Sequence, residues 1–145
     1  MAFISSREIA ATPDAVFAAF VDSARLAVWW GPAGFSNTFS VCEFKPAGRW
    51  VYVMHGPGGK NYPNESVFAE VEPNKKVVIQ HVSQPRYRLT ITLESTQQGG
   101  TRVGWNQEFE DPRVANGIEH IVVPANEQNL DRLSAEVLRV IGGKQ

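Results

Sequence analysis

Three histidines, one cysteine and a scatter of carboxylates are the side chains of this sequence suited to acid–base, nucleophilic or metal chemistry. His55, His81 and His120 share no i, i+4 or other tight spacing, and Cys42 has no second thiol to join it. Neither a metal nor any other cofactor is therefore expected. A lone histidine is more often a hydrogen-bonded structural residue than a catalyst, because catalysis needs geometry at a substrate. His55, at the end of the segment carrying Trp50, is the foremost of the three. Among Glu43, Glu65, Glu70, Glu108 and Glu119, most belong on solvated faces, but Glu65 stands beside Tyr62 and Asn64. A strand-edge carboxylate facing an apolar cavity would have a raised pKa. Any reaction is thus expected to use Glu65 and His55, which flank the same glycine-rich turn.

That turn, Gly56-Pro57-Gly58-Gly59-Lys60, is not a phosphate loop: the Walker spacing, its Ser/Thr and the helix that follows are all missing. No dinucleotide fingerprint or nucleophile elbow occurs either. Large rings are the more conspicuous feature. Trp29, Trp30, Phe35, Trp50, Tyr52, Tyr62 and Trp105 are either ordinary core material or the walls of a ligand cavity.

The elements that must position these rings follow from periodicity. Residues 3–10 read as a strand, after which Thr12 and Pro13 cap and open a helix with Val16, Phe17, Phe20 and Val21 on one face. Asp22-Ser23 interrupts it before a second short helix bearing Leu26, Trp29 and Trp30, which Gly31-Pro32 stops. From there the texture is β-branched and aromatic. Six strands are predicted, over residues 36–45, 48–55, 61–72, 76–83, 86–95 and 101–110, separated by Gly, Pro and Asn turns. Alternation groups Trp50, Tyr52 and Met54 on one face, Leu89, Ile91 and Leu93 on another strand, and Val103, Trp105, Gln107 and Phe109 on a third.

Asp111-Pro112 opens a final helix, in which Leu130, Leu133, Val137, Leu138 and Ile141 form an apolar stripe with Asp131, Arg132, Glu136 and Arg139 off it. Pro124 is expected to kink or restart this helix, leaving residues 113–120 as a separate segment. The helices lie outside the strand run. This order predicts an α+β domain, a curved antiparallel sheet of about seven strands wrapped on a long C-terminal helix, rather than a parallel βαβ sheet.

Bulk properties narrow the partners. The 145 residues, 43% hydrophobic and 20% charged, suit one domain spanning 1–145 with its own core. A net charge of -1, with no basic cluster longer than Lys75-Lys76, argues against nucleic acid and anionic membrane. The single Cys42, the lack of a signal-like N-terminus and the lack of a run of about 18 apolar residues place the protein in the cytoplasm.

Several stretches carry a resemblance. Residues 15–20 with Leu26-Ala27-Val28-Trp29-Trp30-Gly31-Pro32, the hairpins around Phe44-Lys45-Pro46-Ala47-Gly48-Arg49-Trp50, Met54-His55-Gly56-Pro57-Gly58-Gly59 and Tyr62-Pro63-Asn64-Glu65, and Asn129-Leu130-Asp131-Arg132-Leu133 are similar to bacterial relatives of the C-terminal domain of the activator of heat-shock protein 90 ATPase, within the START-like (SRPBCC) superfamily. Ala47, where the family often has Gly, and residues 125–129, which depart from a Gly-Trp-rich variant, differ from that pattern. The resemblance implies a helix-grip fold with a cavity between sheet and C-terminal helix.

Fold relatives bind, carry or transform different apolar molecules, so function has to be argued from the site. The leading expectation is binding or carriage of a small apolar partner by Trp29, Trp30, Phe35, Trp50, Tyr52 and Met54, reached near Trp29, Trp30 and Phe35. Tyr62, Leu89, Ile91, Trp105, Leu133 and Val137 complete the expected lining. An enzyme of cyclase, dehydratase or hydrolase type and a chaperone-interaction module are the rival expectations, and a homodimer is compatible with the sequence.

Overall fold

The computed structural model describes residues 2–142. Its strands are β1 (Ala2–Ile9), β2 (Ser36–Cys42), β3 (Gly48–His55), β4 (Asn61–Glu72), β5 (Lys76–His81), β6 (Tyr87–Ser95) and β7 (Thr101–Phe109). Its helices are α1 (Pro13–Val21), α2 (Ser23–Trp29) and α3 (Pro112–Gly142). The sheet runs β1-β7-β6-β5-β4-β3-β2, antiparallel at every pairing. From β2 to β7 consecutive strands pair because short connections join them, and β7 returns to pair with β1. Bulges between Phe39 and Val41 in β2 and between Phe68 and Glu70 in β4 bend the sheet, making one face concave.

Alternation puts the large apolar side chains on that concave face. Trp50 and Tyr52 of β3, Leu89, Ile91 and Leu93 of β6, and Val103, Trp105, Gln107 and Phe109 of β7 are all buried, while Arg49, Arg88 and Arg102, each one residue before its set, are exposed. Trp50 is a hub. Its ring centroid lies 4.2 Å from that of Tyr52, 4.9 Å from Trp30 and 5.2 Å from Phe68.

Three details depart from the sequence-based expectation. Thr12 occupies the N-cap of α1 but its side chain makes no cap bond, whereas Asp22 Oδ1 accepts from Ala24 N at 2.9 Å and caps α2. α3 runs unbroken through Pro124. His120 and Pro124 are both exposed, so the carbonyl that the proline leaves unpaired can be hydrated. The buried face of α3 is also more polar than its apolar stripe implied: Leu130, Leu133 and Val137 are buried, but so are Asn126, Asn129 and Glu136, while Leu138 and Ile141 are exposed.

Glu136 turns inward because two cations meet it. Arg25 Nε lies 2.8 Å from Oε2, and Arg139 makes a two-pronged contact at 2.9 Å to each oxygen. These guanidinium groups, rather than packed hydrocarbon, cover the carboxylate. Led by the Arg139 hydrogen bonds, they hold its pKa below the ordinary range despite its burial.

Candidate functional site

β3, β6 and β7 splay away from the first half of α3, and the turn after α2 fills only part of the gap. The remaining cavity measures about 150 Å³. Trp30, Met54, Leu89, Trp105, Val122 and Ala125 supply most of its wall, with Tyr87 and Pro32 beside them. Ile121, more than half exposed, and half-buried Pro32 and Met54 also line it, so it opens to solvent between α3 and the Gly31-Pro32 turn. Gln107, Asn126 and Asn129 are its polar side-chain amides, and among the described residues no Lys, Arg, Asp, Glu or His lines it.

The turn that forms the rim is held by α3. Asn129 Oδ1 accepts from Gly31 N at 3.2 Å while its Nδ2 donates to the Trp29 carbonyl at 3.0 Å. One turn of helix further, Arg132 donates to five carbonyls: Trp30, Gly31 and Pro32 from Nη1 at 3.1, 2.9 and 2.8 Å, and Val28 and Phe35 from Nη2 at 2.6 and 2.9 Å. These carbonyls lie at the C-terminus of α2 and in the turn after it; Pro32 also accepts from Phe35 N at 3.2 Å and Trp30 from Asn37 Nδ2 at 2.9 Å, and the guanidinium adds a charged donor common to all five.

Gly31 sits at φ +94, and a Cβ there would come within 2.8 Å of the Met54 methyl. Gly31→Ala is therefore expected to cost about 2 kcal/mol by combining a disfavoured backbone with a contact at the cavity wall. Urea melts of the two proteins measure it; a loss of a few tenths would mean that the turn readily changes conformation.

Behind the wall lies a buried polar group. The Tyr52 phenol is pushed up to about 12, first by burial, against the smaller opposing influence of Ser66, Trp30 and Tyr87. Burial, and then Tyr52 itself, raises Tyr87 well above its usual value. Both phenols stay protonated at neutral pH. Trp50 Nε1, Trp105 Nε1 and Ser66 Oγ have no hydrogen-bond partner of good geometry, although Ser66 lies beside the Tyr52 phenol.

His81, almost fully buried, stacks on Tyr87 with centroids 4.5 Å apart. Its Nδ1 lies 2.8 Å from the Pro85 carbonyl, and its Nε2 lies 2.6 Å from Asn64 Oδ1 and 3.3 Å from Ser83 Oγ. Burial lowers its pKa, with Arg86 adding to the effect and the backbone bonds of Pro85 and Ser83 opposing it. The unfolded chain takes up a proton near the ordinary value of about 6.5, whereas the native imidazole resists doing so. His81 thus contributes stability above that pH that fades as pH falls through it. Denaturant melts of the parent at pH 7 and at about 5.5 should show this loss, and a His81→Gln variant should show less of it; equal slopes in both would contradict the assignment.

Of the twelve side chains expected to bind ligand, Trp30, Met54, Leu89 and Trp105 line the cavity. Trp50, Tyr52, Ile91, Leu133 and Val137 are buried in the main core instead. Trp29 belongs to the α1–α2 packing, with its ring 4.9 Å from Phe20 and its Nε1 donating to the Ala19 carbonyl at 2.9 Å. Phe35 and Tyr62 pair with each other at 6.0 Å, outside the cavity.

The two acid–base candidates do not reach the cavity. Glu65 stands opposite Val51 on the convex face, 3.4 Å from Arg49, because the inward set of β4 is Asn64, Ser66 and Phe68. His55 is one residue beyond inward-facing Met54 and so points away, its Nε2 2.7 Å from Thr38 Oγ1 and its Nδ1 2.7 Å from Asn61 Oδ1. Gln107 was visible on the inward face of β7. Tyr87, Asn126, Asn129 and Arg132 carried no comparable local signal. Among the described residues no three His, Cys, Asp or Glu side chains group as metal ligands, and no helix is long and apolar enough to cross a membrane.

A curved antiparallel sheet gripping one long helix, with two short helices after the first strand and a cavity between sheet and helix, is the helix-grip architecture of START-like proteins. Residues 10–137 match the family described as Activator of Hsp90 ATPase homolog 1-like protein, and the chain belongs to that family. A crystal structure of a Nitrosomonas europaea protein superposes with a TM-score of 0.87 at 20% identity, over 98% of this chain and 97% of that one. The solution structure of an Arthrobacter aurescens protein gives 0.86 at 21% identity, over 95% and 86%. The AHSA1 protein of Silicibacter pomeroyi gives 0.75 at 23% identity, over 95% and 98%. At these identities the likeness establishes the fold alone. Comparison with the curated proteins returns no match.

Proposed function

We propose that this protein is a cytoplasmic binding domain for a small apolar molecule, held in the cavity between the sheet and α3. The observation that carries this reading is an open cavity of about 150 Å³ whose walls are mainly indole, thioether, phenol and aliphatic surface with three side-chain amides, and no charged side chain among the described residues lines it. A cavity of that order accommodates a benzene-sized molecule. Binding is favoured over acid–base catalysis because Glu65 and His55 lie on the other side of the sheet and both nearby phenols are held protonated.

Native mass spectrometry of the protein purified from its own host tests the reading. Retained small-molecule mass in the parent, lost in an Ala125→Trp variant that fills the cavity, is the expected result. If the parent carries nothing and no apolar compound raises its melting temperature, or if the filled variant retains the same mass, the cavity is not a binding site.

A further inference from the structure

The three amides at the cavity differ in how fully they are employed. Asn129 uses both ends on backbone, so it is a fastening for the rim. Gln107 and Asn126 share one bond, Asn126 Nδ2 donating to Gln107 Oε1 at 3.0 Å. Among the described residues Gln107 Nε2 and Asn126 Oδ1 have no hydrogen-bond partner, and neither atom is sealed from solvent. Both residues line the cavity, which makes its interior the natural place for these two atoms to find a partner. Exchanging O and N in both amides leaves the same spare capacity, one donor and one acceptor, so the conclusion does not depend on how the amides are oriented.

We propose that the cavity selects uncharged, single-ring molecules bearing one group that both accepts and donates a hydrogen bond, such as a carboxamide or lactam, which this amide pair reads. The inference rests on the binding reading above and adds to it the chemistry of the ligand's polar end. The ring packs against Trp30, Met54, Leu89 and Trp105, and the polar group meets Gln107 and Asn126. A carboxylate of the same shape is disfavoured, because it has no proton to give the spare carbonyl and finds no cation in the wall among the described residues. A hydrocarbon ring fits but leaves the spare amide atoms desolvated and unpaired.

Benzamide, benzoate and toluene, titrated at pH 7 into the full-length protein and followed by amide NMR shifts, separate the two levels of the account. Benzamide is expected to bind at least about tenfold more tightly than benzoate. In a Gln107→Leu/Asn126→Leu double variant, benzamide should weaken by about tenfold while toluene binds as well or better. Equal affinities for benzamide and benzoate in the parent, or a benzamide affinity unchanged in the double variant, would overturn the amide-pair inference while leaving the cavity reading intact if toluene still binds. Failure of all three probes to bind the parent would overturn both. The parent's ranking keeps the test decisive even if the double variant does not fold.

Discussion

Replacing Arg132 by Leu is expected to lower the unfolding free energy by about 3 kcal/mol, out of proportion to the loss of one partly exposed cation. Ordinary surface substitutions fall within about 0.5 kcal/mol. Here the guanidinium is the common donor for the carbonyls of Val28, Trp30, Gly31, Pro32 and Phe35 at a helix end and the turn after it, of which Pro32 also accepts from Phe35 N and Trp30 from Asn37 Nδ2. Bonds to a charged donor contribute more than neutral ones, and leucine takes the donor away from the carbonyl of buried Gly31. Arg132→Lys should recover only part of the loss, since one ammonium cannot span carbonyls arranged around a planar fork. Equilibrium urea unfolding of the three proteins measures the series. A cost below about 1 kcal/mol for Leu would mean that water replaces the guanidinium and that the rim is not held by α3.

Leu133→Ala is expected to cost about 2–5 kcal/mol, because the side chain is fully buried in the main core and its removal leaves a void that rigid neighbours cannot close. Leu138→Ala, on the same helix but 42% exposed, should change stability by less than about 0.5 kcal/mol. The contrast is informative because sequence periodicity places both leucines on one stripe. Similar costs at the two positions would mean that α3 is rotated from the orientation described.

The strands were legible because each buries one face only, so a period of two is written into β3, β6 and β7, and the turns between them use Gly and Pro for stated backbone reasons. The same alternation, applied one residue further, places His55 outward from Met54, and the register of β4 against β3 does the same for Glu65. The polar half of the site was not legible in this way. Asn126, Asn129, Arg132 and Glu136 look like a solvated helix face, because hydrophobic periodicity assigns polar residues to solvent. Their burial is offset by partners about a hundred residues away in Arg25, Trp29, Gly31 and Pro32, or across the cavity in Gln107, which no local pattern can show. The cavity has a related origin. Its walls are core residues by type, and only the position of α3 over the sheet decides that Trp30 and Trp105 border free space while Trp29 and Trp50 do not.

That distinction provides the most direct test of ligand binding in the cavity. The protein has four tryptophans, each with one indole N–H resonance in a ¹H–¹⁵N correlation spectrum. On titration with toluene or benzamide, the resonances of Trp30 and Trp105 are expected to shift in a saturable manner, while those of Trp29, bonded to the Ala19 carbonyl, and Trp50, sealed behind Tyr52 and Phe68, stay nearly fixed. Saturable shifts confined to Trp29 and Trp50, or no saturable shift in any of the four, would contradict ligand binding in this cavity.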